Sequence, residues 1–213
     1  MDFQVQNGDH GMVSQLTVKG AATRERIVAG AAEVIRENGI DITLDDIRAH
    51  TRTSKSQIFH YFPDGREELL LAVARHEAHR VIEEQQPYLG QLTTWAEWID
   101  WRDAVIARYE RQGVHCPLST LTWHLGSTTE GARDIVRRLM LNWVRPLREG
   151  IEAMQRNGET DPAIDSAAYA RAIVASVQGG VQILMATGST QHLVDTLDLA
   201  LSNLRTGPAA ADL

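Results

Sequence analysis

A complete helix start at Ile42–Ile47, followed almost at once by fresh cap chemistry at Thr51–Ser54, leaves the chain few ways to fold. Thr43 is followed three residues later by Asp46, with Ile42 and Ile47 on the flanking apolar positions. That is an N-cap hydroxyl, its capping-box partner and a hydrophobic staple. The acidic pair Asp45 and Asp46 also suits the positive end of the helix they open. This helix must be short, because Thr51-Arg52-Thr53-Ser54 brings fresh cap chemistry almost at once. A further short helix is expected from about Ser54 to Tyr61, ended before Pro63. Ile42, Leu44 and Ile47 would pack the first helix, and Ile58 and Phe62 the second. Two short helices joined by a tight turn, each with an apolar inner edge, form a helix-turn-helix unit.

The flanking segments are helical as well, so the expected fold class is all-α. A helix is predicted from Thr23 as N-cap to Asn38, with Gly39 as its stop and Ile27, Ala31, Val34 and Ile35 as its inward stripe. Asp64, with Glu67 three residues on, is expected to cap a long fourth helix reaching about Gln86. Residues 1–20 are rich in Gly, Gln, Asp and Asn without an apolar period, and read as a flexible arm. Further starts are expected at Thr93 or Thr94, near Pro117, at Thr128 and at Asp165, with stops at Gly113, Gly158 and Gly188. Pro146 should kink the long helix that begins at Thr128.

The run Thr53-Ser54-Lys55-Ser56-Gln57-Ile58-Phe59-His60-Tyr61-Phe62-Pro63, followed by Arg66-Glu67-Glu68-Leu69-Leu70, resembles the TetR family of bacterial transcriptional regulators. The likeness extends over about Thr23 to Leu70. It implies a three-helix DNA-binding head (21–66) after the arm (1–20), then a helical body (67–213) for effector binding and dimerisation. It further implies a cytoplasmic homodimer that represses by binding a palindromic double-stranded operator and is released by a small-molecule effector. In a helix-turn-helix the second helix enters the major groove with its N-terminal residues facing base edges. Thr53, Ser54, Lys55, Ser56 and Gln57 are therefore DNA-binding candidates, with His60 and Tyr61 one turn further on. Thr43, at a helix N-terminus, and Arg66, where the family usually has a phosphate-binding lysine, are candidate phosphate contacts. Three departures stand out: Arg52 where glycine is common, Ser56 where glycine often appears, and Phe59 in place of a frequent tyrosine. Arg52 must either accept a positive φ or change the turn.

Charge permits this reading without demanding it. The net charge is −7, but residues 1–66 hold 8 basic and 9 acidic residues, so most of the excess acid lies in the body.

In the body, all five tryptophans fall beyond the head. Trp95, Trp98, Ile99, Trp101, Val105, Ile106 and Tyr109 share one broad arc of a helix, with Arg102 inside it. Two readings stay open. Trp95, Trp98, Trp123 and Trp143 could line an effector pocket with Arg102 as anion anchor or cation–π partner, and His76, on the helix that joins pocket to head, as a further candidate. Alternatively, the tryptophans are plain core and Arg102 pairs with an internal acid. Two later stripes, Ile173, Val177, Val181 and Leu184, then Leu193, Leu197, Leu201 and Leu204, are core or a docking surface, and the family likeness favours docking of a second copy. Cys116-Pro117-Leu118 after a helix resembles a stretch of the LmrA/YxaF-like subgroup, with His115 in place of glycine.

The composition excludes several classes. A single cysteine rules out an intrachain disulfide and a multi-cysteine zinc site. No apolar run approaches the roughly 20 residues of a membrane span, and Asp2 argues against a signal peptide. Signatures of hydrolases, nucleotide-binding loops and zinc proteases are missing, so no enzyme activity, metal or cofactor is expected. His76-Glu77-Ala78-His79 has its histidines three apart, one short of the zinc-protease spacing. The rival reading is an all-α ligand carrier or enzyme whose helix-turn-helix no longer binds DNA.

Overall fold

A computed structural model describes residues 17–125 and 129–205, with only the backbone for 122–125. The described chain is all-α: α1 (Val18–Asn38), α2 (Leu44–Thr51), α3 (Lys55–Tyr61), α4 (Arg66–Glu83), α5 (Trp95–Gln112), α6 (Pro117–Leu125), α7 (Glu130–Arg156), α8 (Ser166–Thr187) and α9 (Gln191–Leu204). A single 3-10 turn, Tyr88–Gly90, lies between α4 and α5.

Most helix ends follow from local chemistry. Thr43 with Asp46, Ser54 with Gln57, and Thr94 with Glu97 each form a reciprocal capping box. Gly113 and Gly188 end α5 and α8 at positive φ, which glycine adopts without a Cβ clash. Two starts differ from expectation. Helix α1 begins at Val18, capped by the Thr17 hydroxyl, which accepts from the Gly20 amide at 3.1 Å. Thr23 sits inside that helix and turns its hydroxyl back to the Lys19 carbonyl, 2.9 Å away. Helix α4 is preceded by Gly65 at φ 73° rather than capped by Asp64, whose own amide donates to Glu68 Oε2 at 3.1 Å. Thr128 lies outside the described residues, and Thr129 caps α7.

The head is α1–α3, and α4 is its bridge to the body, packing on α1 at one side and on α6 and α7 at the other. Helix α7 continues to α8, α8 to α9, and α9 back to α5, so one apolar core runs from Ile27 to Leu204. Gly30 lets α1 and α2 touch: a Cβ there would meet Thr51 Cγ2 at 2.5 Å. Gly180 does the same for α8 against the Leu193 backbone, at 2.7 Å from its Cα.

That close approach decides the two apolar stripes. Ile173, Val177, Val181 and Leu184 of α8 and Leu193, Leu197, Leu201 and Leu204 of α9 are all buried within the protomer. They are core rather than a docking surface. What the two helices leave outside is another face, with Ala172, Ala175, Gly179 and Ile183 on α8 and Leu199, 62% exposed, on α9.

Candidate nucleic-acid interface and effector site

The outer edge of α3 carries Lys55, Ser56, Gln57 and His60, all exposed, while Ile58 and Phe62 are buried beneath them. Tyr61 is half-buried and meets the His60 ring edge-on at 4.8 Å. The support under this edge is rigid. Arg26 of α1 donates to the Thr51 carbonyl, Thr51 Oγ1 donates to the Ile47 carbonyl at 2.7 Å, and the Arg24 guanidinium lies 4.9 Å over the Phe62 ring. Arg52 takes the left-handed conformation, φ 50° and ψ 43°, so the turn keeps its shape and the side chain carries the strain.

Several candidates have narrower roles than their residue types suggest. Thr53 is buried, 4% exposed, and its hydroxyl donates to the Thr51 carbonyl at 3.2 Å, so it braces the turn and faces no solvent. Arg66 is committed to the head's own backbone: Nε donates to the Ile42 carbonyl at 3.1 Å and Nη2 to the Ile40 carbonyl at 2.6 Å. The Thr43 amide, expected to be open for a phosphate, already donates to Asp46 Oδ2 at 2.7 Å. Hydrogen bonds from the Thr43 hydroxyl and amide hold the Asp46 carboxyl below the usual carboxylate range, which keeps a negative charge there. Gln57 Oε1 accepts the Ser54 amide at 3.0 Å, so the cap occupies the oxygen that a bidentate adenine contact needs. Its Nε2 remains as donor, beside Lys55 and the Ser54–Ser56 hydroxyl pair at 3.0 Å.

Within the body, the residues proposed for an effector pocket do not gather round an opening. Trp98, Trp101 and Trp143 are wholly buried, and Trp98 and Trp101 meet edge to face at 5.8 Å. Trp95 is half-buried under the Arg205 guanidinium, 5.3 Å from its ring centroid. Ile99, placed on the inward arc from sequence, is 45% exposed. Arg102 forms a two-pronged pair with Asp198 of α9 at 2.8 and 2.9 Å and reaches Asp103 at 2.7 Å; both acids are exposed, so it pairs with carboxylates of its own chain at the surface rather than with an internal acid. His76 pairs through Nδ1 with Glu25 of α1 at 2.9 Å, and the Trp123 side chain lies outside the described residues.

An opening does exist elsewhere. A groove of 830 Å³ runs between α4 and α7, walled by Ile82, Ile135, Leu139 and Pro146 and rimmed by Arg75 and Arg138. Proline has no N–H, so the Asn142 carbonyl one turn before Pro146 loses its helical donor beside this groove.

Two polar groups were missed in the sequence. Gln85, 1% exposed, accepts from the indoles of Trp101 at 2.8 Å and Trp143 at 3.1 Å, and donates to the Val81 carbonyl at 2.9 Å. Arg108, 4% exposed, donates through Nε to Glu84 Oε2 at 2.6 Å. Glu84 pairs with Arg80, Arg80 with Glu77, and Glu77 with Arg36 of α1, a chain of charges from body to head. A signal was available, since Arg108 stands two turns beyond Trp101 and one beyond Val105 on the buried face. Among the described residues no cluster suits a metal ion, and no helix is long and apolar enough to cross a membrane.

An all-α chain whose short second helix presents a polar edge from a braced three-helix head is built as a helix-turn-helix DNA-binding regulator. Known proteins agree. Residues 27–73 match the family described as bacterial regulatory proteins, tetR family, and residues 94–199 match the tetracyclin repressor-like C-terminal domain. An HTH-type transcriptional regulator of Lactococcus lactis subsp. lactis is 25% identical over 190 residues, covering 83% of this chain and 90% of that one. One from Mycobacterium tuberculosis is 30% identical over 112 residues, 52% of this chain and 57% of that one. The crystal structure of a TetR transcriptional regulator from Chloroflexus aurantiacus superposes with a TM-score of 0.72 at 23% identity, covering 87% of this chain and 96% of that one. That of the regulatory protein TetR from Rhodobacter sphaeroides gives 0.73 at 17% identity, with 85% and 98% covered. The chain belongs to the TetR family of bacterial transcriptional regulators, and its helix-turn-helix is a DNA-binding one.

Proposed function

We propose that the chain is a cytoplasmic homodimeric repressor whose two α3 edges read the halves of a palindromic operator and whose body releases DNA on binding a small molecule. The observation that carries this reading is the open edge of α3. Lys55, Ser56, Gln57 and His60 are exposed together above a buried, hydrogen-bonded support. Lys55 and the Gln57 amide face the groove, and His60 and Tyr61 flank them towards the backbone.

The outward faces of α8 and α9, around Ala172, Gly179, Ile183 and Leu199, are where a second copy docks, because the inward stripes are spent on the protomer's own core. Two-fold symmetry then spaces two heads for adjacent major grooves. The effector enters the groove between α4 and α7. Helix α4 is suited to relay its arrival: its middle lines the groove, its first turn holds the Ile40 and Ile42 carbonyls through Arg66, and His76 and Glu77 hold α1. A ligand shifts this equilibrium only by binding one arrangement of α4 more tightly than the other.

The test is a gel shift with the DNA upstream of the chain's own reading frame, over a range of salt. Binding is expected to weaken steeply with salt, and Lys55→Ala to lower affinity and reduce the slope of log K against log salt by roughly 1. Absence of salt-sensitive binding, or a Lys55→Ala chain that binds like the parent, turns the reading towards a ligand carrier.

A further inference from the structure

Two buried donors at the end of α5 have nothing to donate to. Arg108 Nη1 and Gln112 Nε2 each lack a hydrogen-bond partner, although Arg108 is only 4% exposed. They are one helical turn apart, so they share a face of α5. An unmet donor in the interior is costly, and a cationic one more so, because the charge has also left water.

The charges around them make the same point. The linked chain Arg36–Glu77–Arg80–Glu84–Arg108 contains three guanidinium groups and two carboxylates. No other acid pairs with any of these arginines among the described residues, so the chain carries one uncompensated positive charge. Arg108 is the most deeply buried of the three, with 5% of its side chain exposed against 28% for Arg36 and 34% for Arg80, so water compensates its charge least. Burial pushes Glu84 up, but the Arg80 hydrogen bond and the Arg108 charge outweigh it and hold the carboxyl below its ordinary range. Glu84 is therefore already ionised and has no further charge to give. Burial pushes the neighbouring Tyr109 hydroxyl up, so it stays neutral and cannot supply the anion.

We propose that Arg108 and Gln112 form an internal site for a carboxylate ligand, one oxygen taking Arg108 Nη1–H and the other Gln112 Nε2–H. A monoanion matches the single missing charge, and two donors one helical turn apart on one face of α5 suit the two oxygens of a carboxylate. Away from Glu84, the Tyr109 ring lies 4.8 Å from the Arg108 guanidinium and Val105, one turn back on the same face of α5, is buried, so the rest of the acid is apolar. Gln112 is half-buried, and the exposed Val114 and His115 that follow it mark the side from which the acid enters. Because Glu84 shares Arg108 and leads through Arg80 and Glu77 to Arg36 on α1, a bound acid loosens the contacts that join body to head.

The test uses the full chain with acetate, octanoate and benzoate as probes, each against its own amide at constant ionic strength. At least one acid is expected to raise Tm in a concentration-dependent way while its amide does not. Gln112→Leu and Arg108→Met should each weaken that acid by at least tenfold in Kd, read by titration calorimetry. Gln112→Glu places a carboxylate one turn from Arg108, and should raise Tm by roughly 2–4 °C without any probe and remove the response. Should Arg108→Met fail to fold, the two Gln112 variants decide alone. The proposal is overturned if no acid outperforms its amide, or if the Gln112 variants respond like the parent. A parallel gel shift keeps this separate from the regulator reading. Acid binding lost in the variants while DNA binding ignores the acid leaves the site standing without an effector role, whereas salt-sensitive DNA binding with no acid response removes the site and leaves the regulator.

Discussion

Arg52 is the non-glycine residue that takes a positive φ among the described residues, and its backbone shows what a side chain costs at that turn. At φ 50° an L-residue brings its Cβ against the following carbonyl, a strain of about 1–2 kcal/mol that glycine avoids. Glycine gives back part of that gain through the entropy of the unfolded chain. Arg52→Gly is therefore expected to stabilise the protein by roughly 0.5–1 kcal/mol, seen as a higher urea midpoint at unchanged slope. An unchanged or lower midpoint contradicts the strained turn. At the same scale, Thr53 and Arg66 show how residue type misleads. A hydroxyl and a guanidinium in a DNA-binding segment suggest DNA contacts, yet both answer to backbone carbonyls, Thr53 to Thr51 and Arg66 to Ile40 and Ile42. Such acceptors become visible only once the chain has folded back on itself.

Helices α4, α5 and α7 are clamped by a few polar side chains inside an apolar body. Gln85 follows the end of α4 and takes an indole hydrogen bond from each of the other two helices. Gln85→Leu keeps the volume but orphans both indole N–H groups, so a loss of about 2–4 kcal/mol is expected in urea unfolding. A loss under about 1 kcal/mol, the scale of an ordinary single hydrogen bond, is inconsistent with the clamp. Glu84 contributes to the acid limb of stability. Its folded pKa lies below the ordinary 4.5, so its contribution is fully present above that value and fades as pH falls through the folded pKa. Glu84→Gln should flatten the fall in stability below about pH 4.5 and leave the shape of the curve near neutrality unaltered. The helix spans themselves were legible because caps act within four residues: the Thr43 box and the Ser54 start lie where the sequence places them, and of Thr93 and Thr94 the latter is the cap. Helix α1 starts earlier than the sequence predicts because Thr17 and Thr23 both have cap chemistry, and Thr23 spends its hydroxyl on the Lys19 carbonyl inside a helix that Thr17 has already opened.

For the whole molecule, the decisive matter is which surface is left over once the core is complete. The α8 and α9 stripes close on each other through Gly180, which leaves the far face for the second copy proposed above. Leu199→Glu puts a charge in the centre of that face and is expected to convert a dimer to monomers at micromolar concentration while the protomer's melting stays cooperative. Sedimentation equilibrium checks this, and an unperturbed dimer moves the interface elsewhere. Loss of the dimer should also reduce DNA affinity, since one head grips only half a site.

The amino-acid sequence by itself determined the all-α class, the helix-turn-helix and the exposed edge of α3, because caps, stops and apolar periods are interactions between near neighbours. Only the tertiary structure decided that Arg102 pairs with Asp198, 96 residues away, that Trp98, Trp101 and Trp143 are core, and that Arg108 Nη1 and Gln112 Nε2 lie buried without acceptors. A side chain's charge and shape are written locally, but whether it meets a partner, water or nothing depends on which distant helix the fold lays against it.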